Sequence, residues 1–234
     1  MPVPFYDNLA LNDDIVLDWP FTEGGGSLVH DVSKSGIIGT LHGAAGIMWP
    51  AAIGSGFYGI YLFETWHQYA TALAADTGNL NFTSGDYSLS CWVNWLDQGE
   101  SQILIGKYAV DIRGWEAYIT KTSGVDYMTV RHHHGGTRTA SYSSGWSEST
   151  LHLFGYSRSG GWCQHYRNGL PIPTTISAGG LQDPTSSAAS NLVMGSRFTL
   201  NDNWLFAYIG RPRVWARELS ANEHSQLFAQ GNAQ

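Results

Sequence analysis

Three consecutive histidines, His132, His133 and His134, are the residues that first invite a chemical reading. On a strand, His132 and His134 point to one side and are spaced to chelate a metal ion. No cysteine or acidic side chain close in sequence supplies a third ligand. The tract therefore reads as a polar strand end beside the Gly135-Gly136 turn, and no metal site is assigned. Asp31 and Ser33 offer oxygen ligands of the kind that calcium gathers in number. An Asx-type turn explains the same two residues without an ion. Calcium stays open as a cofactor, and no other cofactor is expected. Retaining glycosidases need two carboxylates about 5 Å apart. Here Glu116 and Asp126 are separated by a turn, and Asp111 has no acidic residue two positions on. No G-x-S-x-G nucleophile elbow is present. The chain is accordingly expected not to be an enzyme. Trp115, Trp146 and Trp162 fall at or near expected turns. Exposed tryptophans stack on sugar rings or anchor protein interfaces. With His132 and His134 they make up the candidate binding residues, although most of the 10 tryptophans must serve the core.

Composition narrows the setting for these residues. The 234 residues are 43% hydrophobic and only 13% charged, which allows a sizeable core and argues against disorder. The 28 glycines, 12 tyrosines and 9 phenylalanines suit many short strands joined by tight turns. A formal net charge of −7 argues against nucleic acid as partner, because a phosphate backbone selects a basic face. Cys91 and Cys163 lie in strand-like runs. They read as buried free thiols, with a single bridge as the alternative. The sequence predicts no membrane span, and the first residues show neither the basic region nor the apolar run of an export leader.

The elements that must position these residues are mostly strands. Residues 1–14 read as an arm, stiffened by Pro2 and Pro4 and closed by the turn-forming Asn12, Asp13 and Asp14. Strands are expected over 15–21, 28–30, 39–43 and 58–63, and 64–76 is read as strand because Thr, Trp and Tyr recur there. Tyr87–Trp95 alternates most clearly: Tyr87, Leu89, Cys91, Val93 and Trp95 share one face, and Ser88, Ser90, Trp92 and Asn94 the other. Strands over 102–108 and 115–121 follow. Gly135-Gly136 joins 127–134 to 137–142 as a hairpin, and Ser159-Gly160-Gly161 joins 151–158 to 162–167. Asn168-Gly169 is a further tight turn. Residues 177–191 are a Ser/Ala/Gly-rich loop, and 192–196 and 204–215 close the sheets. Ser220 and Glu223 then form an S-x-x-E capping box at the start of a short helix with Leu219, Leu227 and Phe228 on its apolar edge. About a dozen strands with one terminal helix predict an all-β sandwich.

The order of these landmarks resembles the laminin-G-like, concanavalin A-like lectin/glucanase jelly rolls. The resemblance runs from about residue 15 to residue 229. LDWPFTEGGGS from Leu17, with Asp31-Val-Ser33 and Gly39-Thr-Leu41, resembles the opening strands and loop of that superfamily. Tyr87–Trp95 resembles its apolar-Ser-apolar-Trp-Val strand. Ile105-Gly-Lys-Tyr108 and Gly114-Trp-Glu-Ala-Tyr118 resemble the next pair. Tyr166-Arg-Asn-Gly169 resembles its later hairpin, and Met194-Gly-Ser-Arg197 with Ile209–Leu227 resemble its closing strand and final Leu-Ser-x-x-Glu helix. The chain departs from the pattern at Ile209-Gly-Arg-Pro-Arg213, where an acidic pair is common, and at Phe63-Glu-Thr65, where Phe-Asp-Gly is common. Both departures weaken the expectation of calcium. The E-x-D-x-E run of the glucanases is absent as well.

The resemblance implies a two-sheet antiparallel jelly-roll sandwich over 15–234, with the arm at 1–14 and one short C-terminal helix. It permits lectin, assembly module or glucanase as function, and the glucanase lacks its carboxylates. An arm, low charge, many aromatics and no leader make a virion component the leading expectation. Such a part is a phage capsid decoration or fibre protein, made in the cytoplasm, held to protein subunits as a homo-oligomer and compatible with contact to host glycans. The alternative is a carbohydrate-binding lectin domain of a secreted or surface protein.

Overall fold

The computed structural model describes residues 10–43, 49 and 58–232. Among these, sixteen strands and one α-helix follow one another along the chain. The strands are β1 Ile15–Asp18, β2 Leu28–Val29, β3 Gly39–His42, β4 Ile60–Leu62, β5 Tyr69–Ala72, β6 Tyr87–Trp95, β7 Gln102–Ala109 and β8 Arg113–Thr122. They continue as β9 Val125–His134, β10 Thr137–Trp146, β11 His152–Ser159, β12 Trp162–Arg167, β13 Leu170–Ile172, β14 Thr175–Ile176, β15 Leu192–Met194 and β16 Ala207–Trp215, and the helix α1 is Ala221–Asn232.

They form two antiparallel sheets. The seven-stranded sheet runs β1-β16-β6-β11-β12-β13, with β4 beside β16, and the nine-stranded sheet runs β14-β10-β9-β8-β7-β15-β5-β3-β2. Hairpin chemistry sets the local register as the sequence predicts. Gly135 and Gly136 both take positive φ, 59° and 97°, and pair Thr137 with His134. Asn168 and Gly169, at 53° and 77°, pair Arg167 with Leu170.

The core between the sheets is unusually aromatic: Trp19, Trp95, Trp115, Tyr87, Tyr156 and Phe154 are all fully buried there. Cys91 and Cys163 belong to it as free buried thiols, in agreement with the leading reading. The outer face of β6 is also buried, because α1 lies across it. Trp92, Leu153, Trp215, Leu219 and Leu227 make a second apolar cluster there, with Phe228 stacked on Trp92 at 5.7 Å. The helix starts at the expected capping box: Ser220 Oγ accepts from Glu223 N at 3.3 Å, and Glu223 Oε2 accepts from Ser220 N at 2.8 Å. Two glycines let it approach. A Cβ on Gly155 would lie 2.6 Å from His224 Nδ1, and one on Gly169 would lie 2.9 Å from His224 O.

Two expectations need correction. Residues 64–76 are not one strand: Tyr69–Ala72 is flanked by the 3-10 turns Glu64–Trp66 and Ala74–Asp76, and His67 at φ 48° reverses the chain between turn and strand. Residues 10–14 are not a free arm. Leu11 is buried in the helix-side cluster, its carbonyl accepts from Trp215 Nε1 at 2.8 Å, and Arg217 holds the carbonyls of Ala10 and Asp13. Residues 1–9, including Pro2 and Pro4, lie outside the described residues. At the Gly210-Arg-Pro departure, β16 bulges and Arg211 takes φ 41°. There β16 passes from β4 to β1 along one edge, and Arg211 donates from Nε and Nη2 to the carboxylate of Asp18, both at 3.0 Å. Among the described residues no helix is long and apolar enough to cross a membrane.

Candidate functional site

The face of the nine-stranded sheet turned away from the core gathers the polar and aromatic side chains of its central strands. Alternation along β8 sends Trp115, Ala117 and Ile119 into the core and leaves Glu116, Tyr118, Thr120 and Thr122 on the other face. On β9, Met128, Val130 and His132 point inward, so Tyr127, Thr129, Arg131 and His133 join the outer set. Register makes rows of them. Tyr142, Thr129 and Tyr118 lie side by side on β10, β9 and β8, and the next row runs Ala140, Arg131, Glu116, Gly106, Val193, Thr71 and Thr40 from β10 to β3. At about 4.8 Å between strands, that row spans roughly 29 Å.

Two clefts open on this face. One, of about 340 Å3, is lined by Tyr118, Thr120, Thr122, Tyr127, Thr129, Ala140 and Tyr142. Tyr127 and Tyr142 meet edge to face at 5.8 Å, and Tyr142 keeps 37% of its surface exposed. The other, of about 330 Å3, lies over β7, β15 and β5 and is walled by Tyr108, Val193, Thr71 and Phe198.

A charged ridge separates the clefts. Glu116 accepts from Arg131 Nη1 at 3.1 Å and from His133 Nε2 at 2.9 Å. His133 Nδ1 accepts from the Asp111 backbone N–H at 2.8 Å, so its proton sits on Nε2 and the ring is a neutral donor to the carboxylate. Tyr108 stacks on His133 at 5.3 Å, while the Arg131 guanidinium lies 4.3 Å over the Tyr118 ring and donates to the Tyr118 hydroxyl. Gly106 makes the ridge possible, because a Cβ there would lie 2.8 Å from both Glu116 Cβ and Tyr108 Cδ1. Asp126 is opposite Lys121 while Glu116 is opposite Arg131, which sets the two acids about five residues apart along β9, roughly 17 Å. The structure does not bring them together as a glycosidase pair.

The residues singled out from the sequence mostly lie elsewhere. Trp115 is fully buried and donates Nε1–H to Leu80 O at 3.0 Å. Trp146 is also buried, its Nε1–H donating to Ser143 Oγ at 3.1 Å. Both are core residues because alternation, rather than nearness to a turn, decides which way a strand residue points. His132 is buried with both nitrogens engaged: Nδ1–H donates to Gln182 O at 2.7 Å and Nε2 accepts from Tyr87 O–H at 2.8 Å. His134 is half-buried and its Nδ1 lies 2.7 Å from Thr137 Oγ1. Among the described residues no group of three or more His, Cys, Asp or Glu is placed to hold a metal. Trp162 is exposed at 48%, but it sits on β12 of the other sheet. Asp31 is engaged as the Asx-type turn requires: Oδ1 accepts from Asp18 N and Ser33 N, and Oδ2 from Ser33 Oγ and Ile37 N.

Sequence reasoning missed two aromatic groups. Strict alternation outward from Trp115 points to Tyr118, but Tyr127 and Tyr142 needed the sheet order. The second group is a surface ribbon beside the uncovered part of the seven-stranded sheet. Tyr61 stacks on Tyr208 at 4.4 Å, Phe63 meets Phe206 at 4.9 Å and Trp66 at 5.1 Å, and Trp66 is 44% exposed. Trp204 stacks on His67 at 4.6 Å. Alternation groups Tyr61 with Phe63 and Trp204 with Phe206 and Tyr208, but no local signal joins the two segments, which are distant along the chain.

Two antiparallel sheets, a terminal helix over one outer face and clefts on the other define a jelly-roll sandwich of the concanavalin A type. The sequence profile of the Laminin_G_3 family, described as the concanavalin A-like lectin/glucanases superfamily, matches residues 67–223, well over half of the chain. The chain belongs to this superfamily. Among solved structures it is similar to the binding domain of Paraclostridial Mosquitocidal Protein 1, with a TM-score of 0.69 and 16% identity over 94% of this chain and 53% of that one. It is also similar to the botulinum neurotoxin serotype G binding domain, with a TM-score of 0.68 and 16% identity over 94% of this chain and 51% of that one. A botulinum neurotoxin type C structure, whose cell entry is described as dependent on interaction with two ganglioside molecules, gives a TM-score of 0.66 and 13% identity over 94% and 52%. The chain thus spans about half the length of these structures, and at such identities the likeness is one of fold. No curated protein sequence matches it.

Proposed function

We propose that this domain is a non-catalytic binding module that takes a carbohydrate on the outer face of its nine-stranded sheet. The cleft of Tyr118, Tyr127 and Tyr142 among Thr120, Thr122 and Thr129 carries this reading. Aromatic faces stack on the C–H faces of sugar rings, and a fringe of hydroxyls meets the sugar's own hydroxyls. Membership of a lectin/glucanase superfamily supports it, as does the description of the type C toxin by its ganglioside interaction. A glycan array probed with the wild-type protein is expected to show bound sugars, and Tyr142→Ala to weaken the best of them about tenfold, about 1.4 kcal/mol. A wild-type protein that retains no glycan, or a Tyr142→Ala protein that binds as well as wild type, removes the assignment.

The exposed aromatic ribbon favours a second role, that of a structural component of a virus particle, in which the domain meets further copies of itself. Interfaces are enriched in Tyr, Trp and Phe, and this ribbon offers five such rings in one patch. On this reading the wild-type protein runs as a trimer or larger in size-exclusion with mass detection, and Trp66→Ser with Tyr208→Ser returns it to a monomer. A wild-type monomer at every concentration removes this role and leaves the glycan site standing. The two roles also differ in place, a secreted or surface protein for the first alone and a virion for the second.

A further inference from the structure

The second cleft on the outer face contains an arginine with no partner. Arg113, half-buried at the start of β8, lines it together with Ser190, Asn191, Thr71, Tyr108 and Phe198. Its guanidinium makes no hydrogen bond or ion pair among the described residues. That is unexpected in a chain with 19 acidic and 12 basic side chains. Arg131, Arg138, Arg158, Arg197, Arg211 and Arg217 each hold a carboxylate. The guanidinium fork is built for paired hydrogen bonds to a planar anion, and here that capacity is unused.

The surroundings supply further donors and positive charge. Asn191 Oδ1 accepts from Ala74 N at 2.9 Å, which turns the amide's N–H groups to other use. Behind the cleft wall, Lys107 donates to Thr77 Oγ1 at 2.8 Å and to Ser190 O, again with no carboxylate. Burial lowers its pKa to about 8, so near neutral pH it remains mostly a cation. Gly114 allows the packing: it takes φ 84°, and a Cβ there would lie 2.0 Å from Lys107 O. Tyr108 and Phe198, edge to face at 5.4 Å, form an apolar wall beside these donors. The cleft lies on the same face as the tyrosine cleft, across β7, β15 and β5, within two or three strand spacings or about 10–14 Å.

We infer that Arg113 marks an anion subsite, and that the outer face selects acidic glycans, with a carboxylate or sulfate group on Arg113 and a neutral ring in the tyrosine cleft. This rests on the carbohydrate reading and adds to it the charge of the ligand.

Lactose, sialyllactose and sulfolactose, titrated against the whole protein by calorimetry at two salt concentrations, test it. At least one acidic sugar is expected to bind tenfold or more tighter than lactose, with an affinity that falls as salt rises. Sialyllactose and sulfolactose distinguish a carboxylate from a sulfate ligand. Arg113→Gln is expected to remove both the gain and the salt dependence and to leave lactose binding and Tm unchanged. Equal binding of neutral and acidic sugars by the wild type overturns the inference and leaves the carbohydrate reading intact. Acidic binding that survives Arg113→Gln does the same. If no sugar binds, inorganic sulfate separates the two claims: an Arg113-dependent sulfate signal keeps the anion subsite and discards the carbohydrate reading, and no signal discards both.

Discussion

Lowering the pH from 7 to 5 is expected to remove about 6 kcal/mol from the stability of this domain, a large part of what a domain of this kind possesses. The cause is three imidazoles buried as neutral rings. His132, His165 and His224 are inaccessible to solvent, and burial lowers the pKa of each to about 3. Each ring is held by neutral partners, which do not offset the cost of burying a second positive charge. His132 needs a bare Nε2 to accept from Tyr87. His165 sits between the hydroxyls of Ser141 and Ser143, both at 2.9 Å, with no carboxylate. His224 engages Ser157 Oγ through Nε2 at 2.8 Å, and its Nδ1 is buried without a partner against Gly155.

The sign follows from these depressed values. Well above about 6.5, folded and unfolded chains both carry neutral rings and this stability is fully present. As pH falls below 6.5, the unfolded chain takes up protons that the folded chain refuses, so stability is lost progressively toward pH 3. Three protons give a limiting slope of about 4 kcal/mol per pH unit. His42 and His152, also lowered by burial, act in the same direction. Urea unfolding at pH 7, 6 and 5 measures the effect, and His224→Gln should flatten the slope by about a third. A midpoint that stays constant from pH 7 to 5 would contradict the assignment of neutral buried rings.

Arg158→Met is expected to cost about 3 kcal/mol and to lower Tm by about 6–12 °C. The Arg158 side chain is fully buried on β11 and ties three chain segments together. Nε donates to Gly160 O at 2.9 Å, Nη1 to Thr83 O at 3.2 Å and to Gly85 O at 3.1 Å, and Nη2 to the Asp183 carboxylate. Methionine fills much of the volume and satisfies none of these acceptors. Asp183 is 57% exposed and regains water, so the expected loss lies at the low end for a broken buried pair. Arg158→Lys should rescue little, because one ammonium cannot reach carbonyls on several sides. Thermal unfolding measures the loss, and hydrogen exchange should rise in the segment around Thr83 and Gly85. A cost below about 1 kcal/mol would show that the segments hold without the arginine.

Local chemistry made much of the fold legible. Tyr87–Trp95 and Trp162–Arg167 are strands at the bounds that their patterning predicts, and the Gly135-Gly136 and Asn168-Gly169 turns close the hairpins expected of them. The Ser220–Glu223 box starts the helix. Each of these depends on residues a few positions apart, so a short window of sequence contains the whole cause. Residues 64–76 were less legible, since Thr, Trp and Tyr suit a strand while the left-handed His67 is invisible in residue type alone.

The residues of the candidate site were the least legible in the sequence. Trp115, Trp146 and His132 look available on a strand near a turn, yet the facing sheet buries them. The same strands turn Tyr118 and Tyr127 outward, to meet Tyr142 across a register that no single strand specifies. The opening three-histidine tract divides in the same way, since alternation puts His132 in the core and His133 on the outer ridge beside Glu116. By itself the sequence determined the all-β class, the hairpins, the capped helix and the superfamily, because propensity, turn chemistry and spacing are local. Only the tertiary structure decided which aromatics are core and which line a cleft, and that Arg113 lines a cleft without a carboxylate partner among the described residues. Burial and charge pairing depend on residues that are distant along the chain and become neighbours only when the sheets close.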